Sequence, residues 1–119
     1  MENNKFNIEK LNWSDWKKFP DPRKGEYLSA PFGFGVYQLK NTETDEFILF
    51  GKGNNCAYRM SSLLPIPLGT SGRNAEDKKE YIFENLQQIF YRTMAFDNEE
   101  EMLKVERRIK KLNIHKFNR

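Results

Sequence analysis

Residues from Gly33 to Phe50 alternate between apolar and polar in the way that is typical of half-buried β-strands. Val36, Gln38 and Lys40 would lie on one face of the first strand, with Tyr37 and Leu39 on the other. The stretch Asn41–Asp45 is rich in turn-forming residues, and Phe47–Phe50 is a second, more apolar strand. The pattern therefore predicts a β-hairpin that ends at Gly51.

Helical spacing follows the hairpin. We expect Asn54 or Asn55 to cap a helix that stops before Pro65. Its apolar stripe contains Cys56, Ala57, Met60, Leu63 and Leu64. A second helix is predicted from Ala75 to about Gln87, and the β-branched and aromatic residues of Ile89–Phe96 predict a third strand.

The last predicted helix carries an unusual carboxylate. Asp97 or Asn98 would cap it, with acidic residues in its first turn and basic residues in its last, as the helix dipole favours. Its apolar positions are Met102, Leu103, Val105, Ile109 and Leu112. Glu106 projects into the middle of that stripe, where a carboxylate is costly without a partner. The alternatives are a buried ion pair with an arginine, metal binding, and acid–base chemistry.

The other segments contain breakers of regular structure. We interpret residues 1–31 as an N-terminal arm packed on a domain that spans residues 32–119. The arm contains Trp13 and Trp16, which either stack on nucleic-acid bases or cover an edge of the core. Pro65–Asn74 has the composition of a loop and contains Arg73.

Composition narrows the classes of function. A chain of 119 residues predicts a single domain. The 20 Lys and Arg residues outnumber the 17 Asp and Glu residues, and this small positive excess favours an anionic partner. The single cysteine, Cys56, excludes an internal disulfide, and the single histidine, His115, disfavours His-based zinc sites and a Ser-His-Asp triad. No apolar run reaches the length of a membrane span, and the first ten residues are too polar for a secretory signal. We expect a cytoplasmic protein without a membrane partner.

Several of these residues together resemble the GIY-YIG nuclease superfamily. Gly35-Val36-Tyr37 resembles the first signature, and Leu49-Phe50-Gly51 stands where the second belongs. Arg59, eight residues after Gly51, matches the family's arginine on the first helix. Glu106 matches the metal-holding glutamate on a late helix, and Asn118 matches a terminal asparagine. The resemblance implies an α/β (α+β) sandwich in which helices flank a central three-stranded antiparallel sheet, in agreement with the predicted elements.

The resemblance also implies the chemistry of an endonuclease that cleaves DNA. Tyr37 would orient or deprotonate a water molecule, Arg59 would stabilise the charge on the phosphate, and Glu106 would hold Mg²⁺ or Mn²⁺. Lys52 and Arg73 are candidate phosphate contacts, with solvated surface charges as the alternative, and Asn118 would support the site by hydrogen bonding. We expect a nucleic-acid partner, DNA rather than RNA.

Two positions depart from the family pattern. Leu49 stands where the second signature begins with tyrosine, and Leu63 stands where many members carry histidine or tyrosine. Neither leucine side chain can form a hydrogen bond. Two further hypotheses therefore stay open beside the endonuclease: a module that binds nucleic acid without cutting it, and a structural domain that interacts with a protein partner or a second copy.

Overall fold

The computed structural model describes residues 6–63 and 76–117. Its strands are β1 (Lys17–Lys18), β2 (Gly35–Asn41), β3 (Glu46–Gly53) and β4 (Ile89–Ala95). Its α-helices are α1 (Cys56–Ser61), α2 (Glu76–Glu84) and α3 (Glu99–Leu112), and short 3₁₀ helices cover Ile8–Lys10, Pro22–Lys24 and Leu86–Gln88. The fold is an α+β sandwich, as the sequence predicts.

The four strands form one antiparallel sheet in the order β1-β4-β2-β3. Strands β2 and β3 are the predicted hairpin, and the side chain of Asn41 stabilises its turn by accepting the N–H groups of Glu43 and Thr44. The expected number of strands was three. The fourth, β1, is only two residues long and pairs with Tyr91 and Phe90 on the outer side of β4.

The sheet separates two apolar layers. We call the side on which Tyr37 and Leu39 lie the first face; these residues pack with α1 and with Ile82 of α2. The second face carries Val36 and Phe50, which pack against α3. The layers follow the predicted alternation of β2, because successive strand residues point to opposite sides of a sheet.

The helix ends follow the predicted capping residues where the structure describes them. The Asn55 side chain accepts the N–H of Tyr58 at 3.1 Å, and the Asn98 side chain accepts the N–H of Glu101 at 2.9 Å. Helix α2 ends at Glu84, three residues before its predicted end. The predicted loop Pro65–Asn74 lies outside the described residues. In the described part of the chain, no helix is long and apolar enough to cross a membrane.

Both ends of the described chain pack on the sheet. Phe19 is fully buried in the first-face core, and its N–H donates to the carbonyl of Ile89 at 2.8 Å. Near the C-terminus, the N–H of Phe117 donates to the carbonyl of Ile48 at 2.8 Å. The segment before the hairpin is therefore part of the folded body.

Candidate functional site

Tyr37 and Gly51 face each other across β2 and β3. A Cβ atom at residue 51 would overlap the Tyr37 hydroxyl and ring, so the tyrosine lies directly over the glycine. The Tyr37 side chain is 5% exposed, and the hydroxyl is held at the first face. Only glycine at position 51 leaves room for the ring in this orientation.

Arg59 lies beside this tyrosine on the first face. Its Cβ and Cγ atoms would stand 3.0 and 3.4 Å from a Cβ at Gly53. Gly51 and Gly53 are two residues apart on one strand face, which separates their Cα atoms by about 7 Å. Within the described residues, the half-buried Arg59 side chain has no ion pair or hydrogen bond.

Helix α1 holds Arg59 in place through its first turn and its buried side. The Arg59 N–H donates to the Asn55 carbonyl at 3.0 Å, and the Cys56 and Met60 side chains are fully buried against the sheet. Burial raises the pKa of the Cys56 thiol to about 12. This thiol is a packing group rather than a nucleophile.

Glu106 lies on the other layer of the protein. On α3 it is four residues after Met102 and three before Ile109, both of which are buried against the second face. Its side chain is half-buried, and no described residue forms an ion pair or hydrogen bond with it. The ion pair with an arginine, one of the alternatives for Glu106, is therefore absent from the described residues. Helix α3 packs on the second face, opposite the face that carries Tyr37 and Arg59.

The remaining candidate positions add little to the first face. Lys52 is opposite Val36, so its half-buried side chain belongs to the second face. Arg73 and Asn118 lie outside the described residues. Leu49, at the second-signature position, is buried opposite Leu39 in the first-face core.

A separate polar cluster occupies the second face around Arg92. The guanidinium lies 4.5 Å from the Trp13 ring and 4.4 Å from the Trp16 ring. It donates to Gln38 Oε1 at 2.7 Å and to both carboxylate oxygens of Glu9 at 3.0 and 3.2 Å. Both tryptophans therefore pack the N-terminal segment against Arg92 of the sheet, in agreement with the hypothesis that they cover the core.

The structure thus brings Tyr37 and Arg59 together and places Glu106 and Lys52 on the second face. Among the described residues, no group of three or more His, Cys, Asp or Glu side chains is arranged to hold a metal ion. Comparisons of the chain with models of known protein families, with curated proteins and with solved structures find no match. The likeness to GIY-YIG nucleases therefore rests on the order and spacing of the residues described above.

Proposed function

We propose that this protein is an endonuclease-like enzyme of the cytoplasm that hydrolyses DNA phosphodiester bonds. The observation that supports this most is the pair Tyr37 and Arg59, which lie over Gly51 and Gly53 on one face of the hairpin. A buried tyrosine hydroxyl on the same face as a cation that pairs with no described residue suits a reaction in which water attacks an anionic phosphate.

Each of the two side chains has a defined task in this proposal. Arg59 would neutralise the negative charge that increases on the phosphate oxygens in the transition state. The Tyr37 hydroxyl would position the attacking water through a hydrogen bond. Burial of the tyrosine ring between the strands and α1 keeps that hydroxyl in one place, which lowers the entropic cost of aligning the water.

Mg²⁺ or Mn²⁺ is the cofactor that we propose, with Glu106 as its protein ligand. The donor chemistry fits, because Mg²⁺ often takes one or two carboxylates and completes its coordination with water and substrate phosphate. The placement does not fit a centre shared with Tyr37, because α3 packs on the second face. The tasks proposed for Tyr37 and Arg59 therefore do not involve the metal.

Cleavage of supercoiled plasmid and of branched and single-stranded DNA would test the proposal. The protein would be incubated with Mg²⁺, Mn²⁺ or EDTA beside the variant Glu106→Gln and the matched control Glu100→Gln, which alters an exposed glutamate of the same helix. We expect metal-dependent cleavage that Glu106→Gln lowers and Glu100→Gln retains. Absence of metal-dependent cleavage would reject the enzyme, and equal cleavage by both variants would reject the role of Glu106.

A second candidate function is a nucleic-acid-binding module without turnover. Two observations favour it: Leu49 fills the second-signature position with a buried apolar side chain, and the helix of Glu106 lies away from Tyr37. Such a module would bind DNA with an affinity that falls steeply between two salt concentrations, because phosphate contacts release counterions. Steep salt dependence without cleavage would favour this candidate, and negligible binding would favour a protein-interaction domain.

A further inference from the structure

Residues 113–117, which follow α3, bind to β3 and are called the C-terminal strap. Strand β3 is the last in the sheet order, so β2 pairs with only one of its edges. The Lys116 N–H donates to the Phe47 carbonyl at 3.0 Å, and the Phe117 N–H donates to the next carbonyl along β3, that of Ile48. Ile48 has no partner residue in β2, because the register shifts at this bulge. The strap therefore satisfies backbone groups that an edge strand would otherwise expose.

One side chain of the strap, that of His115, is buried against the second face. It is 6% exposed, and its ring centroid lies 5.5 Å from that of Phe47 and 4.8 Å from that of Phe50. The His115 Nε2 atom lies 3.0 Å from Nε2 of Gln38, whose side chain is fully buried. A buried polar atom needs a hydrogen-bond partner, so the Gln38 amide holds the imidazole in place.

Arg92 determines which form of the imidazole fits this site. Its Nε–H donates to Gln38 Oε1 at 2.7 Å, so the amide oxygen faces Arg92 and the amide nitrogen faces His115. An amide nitrogen can only donate, and therefore the imidazole Nε2 must accept. Nε2 accepts only in the neutral imidazole that carries its proton on Nδ1. An imidazolium would place two donors face to face, 3.0 Å apart, in a buried site.

The charged group nearest to His115 in this hydrogen-bond network is a cation. The Arg92 guanidinium lies on the far side of the Gln38 amide, and both carboxylate oxygens of Glu9 are already bound to it. A proton on His115 would therefore add a second positive charge one amide away from Arg92. The other cations of β2, β3, the last turn of α3 and the strap are Lys40, Lys52, Lys110, Lys111 and Lys116.

Two carboxylates also belong to elements next to His115. Glu46 pairs with Asn41, which places the Glu46 side chain on the first face. Glu106 lies on α3 six residues before the helix ends, a distance of about 9 Å along the helix axis. Neither carboxylate forms an ion pair with a described residue. The balance of charge around the imidazole thus favours its neutral form.

We propose that the C-terminal strap is a pH-sensitive latch on the edge of the sheet, closed while His115 is neutral and released when His115 gains a proton. The latch goes beyond the proposed function, because it needs neither DNA nor a metal. Histidine side chains in unfolded chains titrate near pH 6.5, so release belongs to the mildly acidic range. The released strap binds more protons than the docked strap, and docking therefore weakens as the pH falls below that value.

The single histidine of the chain allows a direct test of the hydrogen bond. The ¹⁵N NMR resonances of its imidazole ring, recorded on the full chain at pH 7.5, distinguish a protonated nitrogen from one that accepts. We expect a neutral ring with the proton on Nδ1 and an accepting Nε2. A proton on Nε2 at this pH would overturn the inference, because the Gln38 amide nitrogen could not bond to it.

Hydrogen exchange of the Lys116 and Phe117 amides would test the latch itself. Their protection factors, which compare the observed rate with that of an unfolded chain at the same pH, should fall about tenfold from pH 7.5 to pH 5.5. His115→Gln provides an amide oxygen that can accept from Gln38 and does not titrate, so its protection factors should be equal at both pH values. Gln38→Glu presents a carboxylate to the imidazolium, and acid should then not lower the protection.

The outcomes decide between a latch and a general effect of acid. Equal falls in the unchanged protein and in His115→Gln would overturn the inference, because another group would then carry the pH dependence. Protection of Lys116 and Phe117 as high as that of the core amide of Phe19 would overturn it as well, since the strap would then open only with the whole fold. If a variant fails to fold, the ring resonances and protection factors of the unchanged protein still decide. None of these results depends on whether the protein cleaves DNA.

Discussion

The contact between Tyr37 and Gly51 allows a sharp test of the geometry of the first face. In the variant Gly51→Ala, the added methyl group would occupy the space of the Tyr37 hydroxyl and ring, with Cε2 only 3.0 Å away. The ring is buried and opposite the substituted residue, so it can move only by disturbing the core. Overpacking of this kind costs about 1–3 kcal/mol of unfolding free energy.

Removal of the ring should abolish that cost. In a Tyr37→Leu background, the leucine side chain is too short to reach the space that the tyrosine hydroxyl occupies. Gly51→Ala should then be neutral, or should stabilise the protein by about 0.5–1 kcal/mol, because alanine loses less conformational freedom on folding than glycine. Urea unfolding of the four proteins in this double-mutant cycle would give the coupling energy, which we expect at about 1–3 kcal/mol. Gly33→Ala is the control, since a Cβ there would meet no atom within 4 Å. An equal cost of Gly51→Ala in both backgrounds would refute the placement of Tyr37 over Gly51.

Three other predictions concern buried or partnered side chains. Arg92→Lys should lower the unfolding free energy, measured in urea titrations, by about 2–4 kcal/mol, because lysine cannot stack between the indole rings and still reach Gln38. A loss below about 0.5 kcal/mol would contradict a stabilising role of these Arg92 contacts. Cys56 should resist alkylation at pH 8 until urea unfolds the protein, since burial raises its pKa to about 12, and rapid labelling of the folded protein would argue against that burial. The hydrogen bond from Arg23 lowers the pKa of Asp21 below its ordinary 3.8, so this carboxylate stabilises the fold above that pH and its contribution disappears as pH falls further. The stability difference between the unchanged protein and Asp21→Asn, measured by thermal unfolding, should therefore shrink with acidification, and a constant difference from pH 7 to pH 3 would contradict it.

Local patterns predict the hairpin and the helix starts well because their causes are local. Alternation places Val36 and Tyr37 on opposite faces, and the cap residues Asn55 and Asn98 bond to N–H groups three residues later. The early end of α2 has a local cause as well. The Asn85 amide donates to the Tyr81 carbonyl at 2.9 Å, and a 3₁₀ turn follows before β4.

Features that depend on distant contacts could not be predicted in this way. Strand β1 is two lysines long and exists because it pairs with β4, more than 70 residues later in the chain. The sequence likewise draws attention to the tryptophans as possible base-stacking residues, whereas both rings contact Arg92. The exposed aromatic rings belong instead to Tyr27, Phe32 and Tyr58, and nothing in their local sequence distinguishes them from core residues.

The candidate site also combines features that local sequence predicts with features that depend on tertiary packing. Spacing in the sequence suggests that Tyr37 and Arg59 act together, and the structure places both over glycines of β3. Glu106 has the predicted position within the apolar stripe of α3, but helical periodicity cannot tell which face of the sheet that stripe covers. Only the tertiary packing assigns α3 to the second face.

The most direct test of the central claim is the rate of metal-dependent DNA cleavage by Arg59→Met beside Arg107→Met. Methionine keeps an aliphatic stem over Gly53 and removes the charge, while Arg107 is an exposed arginine of α3 that serves as the matched control. We expect the unchanged protein to cleave DNA, Arg59→Met to lower the rate by about 100-fold or more, and Arg107→Met to change it by less than about threefold. Equal rates for the two variants, or no cleavage by the unchanged protein, would contradict the account.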